Sequence, residues 1–134
     1  MAKTLLRIIT PNGLFWDKEV DIVTVKTTEG YLGLLHGKSP IVASLDIAEL
    51  QINKENTHEY VECAIAGGLL YATPEKVEII TDAIEEKSKI DSNRAEKAKR
   101  VAQATLKTKS DDTDNKMAKL ALKRALNRIS IGKN

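Results

Sequence analysis

The feature that most constrains this chain is a change of hydrophobic period across residues 82–95, DAIEEKSKIDSNRA, from two residues to about 3.6. A period of two sends alternate side chains to opposite faces of a strand, whereas 3.6 lines them along one stripe of a helix. The chain before the junction therefore reads as sheet and the chain after it as helix, and a junction of this kind can act as a hinge. The run Ile90-Asp91-Ser92-Asn93-Arg94-Ala95 sets a carboxylate and a guanidinium on the first helical turn beyond it, which makes it the first place to look for a ligand.

Ahead of the junction, residues 4–10 alternate and are succeeded by the turn chemistry of Pro11-Asn12-Gly13. Residues 14–16 lead into residues 21–27, where Val23, Val25 and Thr27 oppose Ile22, Thr24 and Lys26, and Glu29-Gly30 ends that run. Residues 31–35 form a short apolar run that stops in a loop at His36-Gly37-Lys38-Ser39-Pro40. Further strands are expected at residues 41–45, 48–52 and 57–66, divided by Asp46 and by the polar turn 53–56. The pair Gly67-Gly68 marks a corner of the sheet, and residues 69–72, a turn at 73–76 and residues 77–81 complete the series. Many short strands at close spacing with no helix between them predict an antiparallel sandwich or barrel.

Beyond Asp91, Ala95, Ala98, Val101 or Ala102, and Leu106 recur at helical spacing, and Ser110-Asp111-Asp112-Thr113-Asp114 breaks the run and offers an N-cap. A second helix comes next, with Ala118, Leu122, Ala125 or Leu126, and Ile129 on its stripe and Lys116, Lys119, Lys123 and Asn127 elsewhere. The two stripes predict an antiparallel hairpin. Burying an alanine contributes much less than the ~1.5 to 3 kcal/mol of a large aliphatic side chain, so a hairpin seamed by alanines can open.

Charge divides at the same place. Residues 1–84 carry 7 Lys and Arg against 12 Asp and Glu, and residues 85–134 carry 14 against 7, so an acidic body of −5 is joined to a basic tail of +7. The tail is either a solvated lysine-rich face or the site of a polyanionic partner: nucleic acid, nucleotide, an acidic protein surface or the chain's own acidic half. Composition narrows the classes further. A hydrophobic content of 42% is enough for a packed core, no apolar run has signal-peptide character, and none approaches the ~18 to 20 residues of a membrane span, so a cytoplasmic protein without membrane insertion is expected. Cys63 is the only cysteine and reads as a small core residue. No nucleophile lies beside a general base, no glycine-rich loop opens a helix, and His36 and His58 stand singly, so neither catalytic residues nor a metal site are expected. Aromatic residues make up 4% and none occurs after Tyr71, which leaves the basic tail without a stacking platform for nucleic acid.

The arginines are more informative. Arg124 and Arg128, four apart, share a helical face, and an antiparallel hairpin brings the end of the second helix to the start of the first, where Arg94 and Asp91 lie. Such a group suits phosphates through guanidinium forks and an amine or hydroxyl through the carboxylate. Taken alone, the same residues describe a solvated basic face at least as well.

Along essentially its whole length the chain resembles the epsilon-subunit family of bacterial F-type ATP synthases. Gly30-Tyr31-Leu32-Gly33-Leu34-Leu35, with Gly37 and Pro40 after it, is similar to that family's loop after the third strand. Ala66-Gly67-Gly68-Leu69 with Val77-Glu78-Ile79-Ile80 resembles the end of its sandwich, and the run from Ala121 to Ser130 resembles its last helix. The resemblance implies a ten-stranded sandwich, taken as residues 1–84 and fixed to the gamma subunit and the c-ring, and a regulatory two-helix hairpin, taken as residues 85–134. The subunit would be a non-catalytic part of the rotor at the cytoplasmic face of the cell membrane, catalysis belonging to the beta subunits. Its hairpin would lie folded on the sandwich or extend along gamma into the head of alpha and beta subunits, where it inhibits ATP hydrolysis. The family's inhibitory contact is with an acidic segment of beta, which the +7 tail fits.

Some members bind ATP on the folded hairpin. The resemblance carries that site to Glu85, Ile90, Asp91, Arg94, Ala95, Arg124 and Arg128, with ATP as a regulatory ligand and magnesium left open. A further arginine of those members falls at Val101, with Arg100 one place earlier and about 100° round the helix. The contact with gamma and the c-ring carries to Leu35, His36, Gly37 and Lys38, where members often read Leu-Pro-Gly-His; His36 replaces the proline and Lys38 the histidine.

Overall fold

The computed structural model describes residues 2–107 and 112–133, and its contacts divide the chain into two compact units, Met1–Glu86 and Lys87–Asn134. The first holds eight strands: β1 (Thr4–Thr10), β2 (Gly13–Val20), β3 (Val23–Thr27), β4 (Gly30–Leu34), β5 (Ile41–Ile52), β6 (Val61–Ala72), β7 (Lys76–Ile80) and β8 (Ile84–Glu86). They are hydrogen-bonded in the order β2-β1-β7-β6-β5-β3-β4, with β8 on β6.

Two of these strands explain the architecture. β5 and β6 each run 12 residues through the points where breaks are predicted, Asp46 and Gly67-Gly68. Their ladder pairs Leu45 with Gly68 and Ile47 with Ala66, skipping Asp46 and Gly67, so both strands turn a corner together without parting. The Asp46 carboxylate accepts the Ile47 N–H at 2.9 Å, and Gly67 and Gly68 take φ of 80° and 140°. Beyond the corner β6 changes partner: residues 69–72 pair with β7, whereas residues 63–65 pair with β8. Each bent strand thus serves both layers of a sandwich. Counting β5 and β6 once in each layer restores the ten strands the family implies, while their unbroken backbones make eight.

The corner is pinned from the other side. A Cβ on Gly68 would fall on the backbone of Ile80 and Thr81, with the Ile80 carbonyl carbon and the Thr81 Cα both at 3.1 Å. The buried Thr81 hydroxyl donates to the Gly67 carbonyl at 2.6 Å, and the Ala66 N–H donates to the Ala83 carbonyl at 3.0 Å.

Other departures have local causes. β2 carries Asp17, Lys18 and Glu19 at mostly exposed positions, as a sheet-edge strand should, and that charge hides its strand character. β6 starts at Val61, not residue 57, because the Thr57 N–H donates to the Lys54 carbonyl at 3.0 Å and continues the preceding turn. β1 pairs with β7 in parallel, the one departure from an antiparallel scheme among the described ladders, and pairing so distant in sequence leaves no local signature. Asn53, expected in a polar turn, is buried with φ of 65°, its side chain accepting from the Asp21 N–H at 2.8 Å and donating to the Glu59 carbonyl at 3.0 Å. The core is aliphatic and continuous between the layers: Leu6, Ile8, Leu70, Val77 and Ile79 on one side, and Val23, Val25, Leu50, Ile52 and Ile65 on the other.

The second unit consists of a 3-10 turn at Lys87–Lys89, α1 (Ser92–Lys107) and α2 (Asp112–Lys133). Both alternatives left by the pattern fall to alanine: Ala102 is buried while Val101 is 59% exposed, and Ala125 is buried while Leu126 is 45% exposed. Ala95 and Ala102 on α1 and Ala118 and Ala125 on α2, seven apart in each case, therefore form the seam, and Ile129 and Ile131 extend it. Of the N-cap predicted at residues 110–114, Ser110 and Asp111 lie outside the described residues.

Candidate functional site

Asp91 closes the start of α1. Its Oδ1 accepts the Arg94 N–H at 3.1 Å and its carbonyl accepts the Ala95 N–H at 3.0 Å, the geometry of an N-cap. That role alone accounts for an aspartate at this position, and a carboxylate there also favours the positive end of the helix. The side chains of Asp91 and Arg94 are exposed, Ile90 is half-buried, and Ala95 is fully buried, so it offers a ligand no open side-chain surface.

The far end of α2 comes to this point. A Cβ on Gly132 would lie 3.2 Å from Ile90 Cγ2, 3.6 Å from Ile90 Cβ and 3.6 Å from Ser92 Oγ, so glycine lets the last turn of α2 close against the entry to α1. The antiparallel order then sets Arg128 one turn back from that contact and Arg124 two turns back. Both arginines are half-buried and their Nε atoms are buried. The structure thus brings Ile90, Asp91, Arg94, Ala95 and Arg128 to one end of the helix pair, with Arg124 a turn further along. Glu85 lies in the other unit, on β8 opposite Ala64, because the sandwich runs on to Glu86; the predicted boundary between residues 84 and 85 would cut β8. Val101 lies seven residues beyond Arg94 on the same face of α1, the face an arginine there would share, whereas Arg100 points elsewhere. Gly132 and Ile131 are not legible in the sequence as parts of this end: a glycine near a helix terminus reads as a stop signal, and here it is a contact.

The second candidate region is the connection between β4 and β5. Gly37 takes φ of 83°, and its N–H donates to the Pro74 carbonyl at 2.7 Å, tying the loop to the turn between β6 and β7. The Lys38 ammonium folds back to donate to the Gly33 carbonyl at 2.6 Å. Lys38 therefore braces the loop, and Leu35 and His36 are the side chains presented outward.

A third region is invisible in the sequence. The ladders align Leu69, Ile80, Ile9 and Leu14 side by side across β6, β7, β1 and β2. Leu69, Ile80 and Leu14 are 42%, 44% and 58% exposed, and the cross-strand pair Val42 and Tyr71 extends the same outward face. Alternation hides it, since each strand has apolar residues on both faces and only the register reveals which ones meet. Among the described residues no three His, Cys, Asp or Glu side chains group to hold a metal, and no helix is long and apolar enough to cross a membrane.

A corner-bent β-sandwich joined to a basic, alanine-seamed helix pair defines a two-module protein with one densely packed and one thinly packed part. The sandwich family described as ATP synthase delta/epsilon chain, beta-sandwich domain, matches residues 3–87, and the corresponding long alpha-helix domain matches residues 88–133. Two relatives named ATP synthase epsilon chain span nearly the full length. That of Mycoplasmopsis pulmonis is 42% identical over 96% of this chain and 92% of its own, and that of Bacillus velezensis is 38% identical over the whole of both. The chain belongs to the ATP synthase delta/epsilon chain family. The same fold occurs in a chain of the Euglena gracilis mitochondrial ATP synthase, with a TM-score of 0.78 at 22% identity over 95% of this chain and 79% of that one.

Proposed function

We propose that this subunit is a non-catalytic part of the central-stalk rotor of a proton-translocating ATP synthase, and that its helix pair is a movable inhibitor of ATP hydrolysis. The observation that carries the reading is the contrast in packing: an aliphatic, corner-pinned sandwich suited to permanent attachment, and helices joined through alanines that can separate at modest cost. Membership of the family supplies the complex.

The sandwich would bind gamma and the c-ring. Its core is complete without the outward stripe of Leu14, Ile80 and Leu69, so a partner can cover that stripe with no rearrangement of the fold. We assign the stripe to gamma, with Leu35 and His36 meeting gamma or the c-ring and Gly37 and Lys38 holding their loop. On this assignment the subunit sits peripherally at the cytoplasmic face of the membrane. The basic helices, when separated, would reach an acidic surface of beta in the catalytic head, an electrostatic contact weakened by salt. Catalysis stays with the partner subunits.

ATP would bridge Arg94 on α1 and the capping Asp91 before it to Arg124 and Arg128 on α2, and such a bridging ligand favours the closed pair by its differential affinity. Val101 withholds one phosphate contact; a charge-assisted bond of ~1.5 to 3 kcal/mol corresponds to roughly ten- to a hundredfold in affinity. Val101→Arg is accordingly expected to tighten ATP binding by that factor in a calorimetric titration run with and without magnesium, and Arg128→Ala to weaken it. Unchanged heats in both variants would remove ATP from this site.

The mechanism has a direct test in the geometry of Ile90 and Gly132, whose Cβ positions 3.6 Å apart suit a disulfide. In the assembled synthase, the Ile90→Cys, Gly132→Cys double variant should lose inhibition of hydrolysis on oxidation and regain it on reduction. Cys63 does not interfere, being buried with its thiol pushed up to about 12 by burial, with Glu86 and Glu62 adding to it. Inhibition that survives the locked closure would rule out opening of the pair as the inhibitory step.

A further inference from the structure

A groove of about 610 Å³ runs between α1 and α2, beside the seam and lined by Ala98, Val101 and Ala102 from one helix and Met117, Ala118 and Ala121 from the other. Its lining is almost wholly apolar, and the two large side chains on it are open to solvent, Val101 at 59% and Met117 at 67%. The polar groups that reach it are few. Arg94 and Lys97 stand at one end, and Thr105 stands at the other, with its hydroxyl already donating to the Val101 carbonyl at 3.0 Å. From Arg94 to Thr105 the groove extends about 16 Å along the helix.

The volume falls within the range of small-molecule sites, and among the described lining residues the arrangement has a direction: the cations stand at one end, with an apolar trough beyond them. The cationic end is also the N-terminal end of α1, whose dipole adds to the attraction for an anion. Asp91, one turn earlier, opposes it, but one of its oxygens is held by the helix cap. We propose that the groove binds a single-chain anionic amphiphile, with its carboxylate or phosphate on Arg94 and Lys97 and its alkyl chain laid along Val101, Ala102, Met117 and Ala121. Because such a ligand touches both helices, it binds only while they are together, and so holds them closed.

The test uses the full chain without nucleotide, which makes its outcome independent of the ATP reading. Met117 is one of only two methionines, so methyl-labelled methionine gives two NMR signals, one of them inside the groove. Dodecanoate, kept below its micelle concentration, should move the Met117 signal saturably and leave that of Met1 in place. A non-ionic dodecyl ether should bind roughly tenfold more weakly for want of the charge-assisted bonds. Val101→Asp, at an exposed position and with its fold checked by circular dichroism, should weaken dodecanoate by at least about tenfold by placing a carboxylate in the trough; Ala121→Asp on the facing helix should do the same. Equal movement of both methionine signals, no movement of Met117, or indifference to both aspartate variants would overturn the proposal. A Met117 shift produced by phosphatidylglycerol vesicles and not by dodecanoate would also overturn it, in favour of a membrane surface.

Discussion

In the sandwich, the side chains wholly shielded from solvent are Leu6, Ile8, Leu50, Ile52, Leu70 and Ile79 and their neighbours, whereas along the helix pair the buried side chains among the described residues are mostly alanines, Ala95, Ala102, Ala118 and Ala125, beside Ile129 and Ile131. The first set contributes ~1.5 to 3 kcal/mol per buried residue and the alanines a fraction of that. The sandwich is further fixed by its corner, where Gly68 admits the Ile80 backbone and Thr81 bonds across to Gly67. Among the described residues of the helix pair, Gly132 makes a close fit against the Ile90 side chain, at the end remote from the connection between its helices. On the proposed function, one chain joins a module expected to unfold only as a whole to a module expected to open by itself. In that proposal labour divides along the same line: the first kind of packing suits attachment, and the second suits regulation.

The contrast can be broken most severely at the corner. Gly68→Ala puts a methyl group against backbone that cannot move aside and demands an L-residue at φ of 140°, so we expect a loss of several kcal/mol or failure to fold, read from denaturant unfolding. A normal midpoint would mean the corner is not rigid. An intermediate effect comes from pH. Burial raises the Cys63 thiol from 9.0 to about 12 and, with Glu62 and Glu55, raises the Tyr60 hydroxyl from 10.0 to about 12. Both groups are held protonated by the fold, so the stability they represent is present below pH 9 and drains away between pH 9 and 12. Denaturant midpoints for sandwich unfolding should fall across that window, and Cys63→Ala should flatten the lower part of the fall.

Much of this is readable in the residues, for identifiable reasons. The period change at residues 82–95 locates the passage from sheet to helix because period is a local property. The Gly67-Gly68 corner is visible as well, but its meaning is not: that β5 and β6 turn it without breaking depends on the skipped Asp46 and Gly67, a relation between strands. The outward stripe of Leu69, Ile80, Ile9 and Leu14 is hidden for the same reason, since it exists only in the register of four ladders. On the helices, the pattern leaves Val101 or Ala102 and Leu126 or Ala125 undecided, and hydrophobicity alone would favour the larger residue. Close approach of the two helices selects the smaller one each time. The order of the candidate arginines along an antiparallel pair needs nothing beyond their spacing, whereas Glu85 is separated from them by a boundary that three residues of β8 are too few to reveal through any period.

Native-state amide hydrogen exchange on the isolated chain shows whether the two modules differ in stability and whether the helix pair opens alone. Amides of β5, β6 and β7 are expected to exchange only through global unfolding, and those of α1 and α2 through a separate, much cheaper opening that Ala125→Gly lowers by about a further 1 kcal/mol. A single protection level shared by strands and helices, shifted everywhere alike by Ala125→Gly, would contradict this expectation.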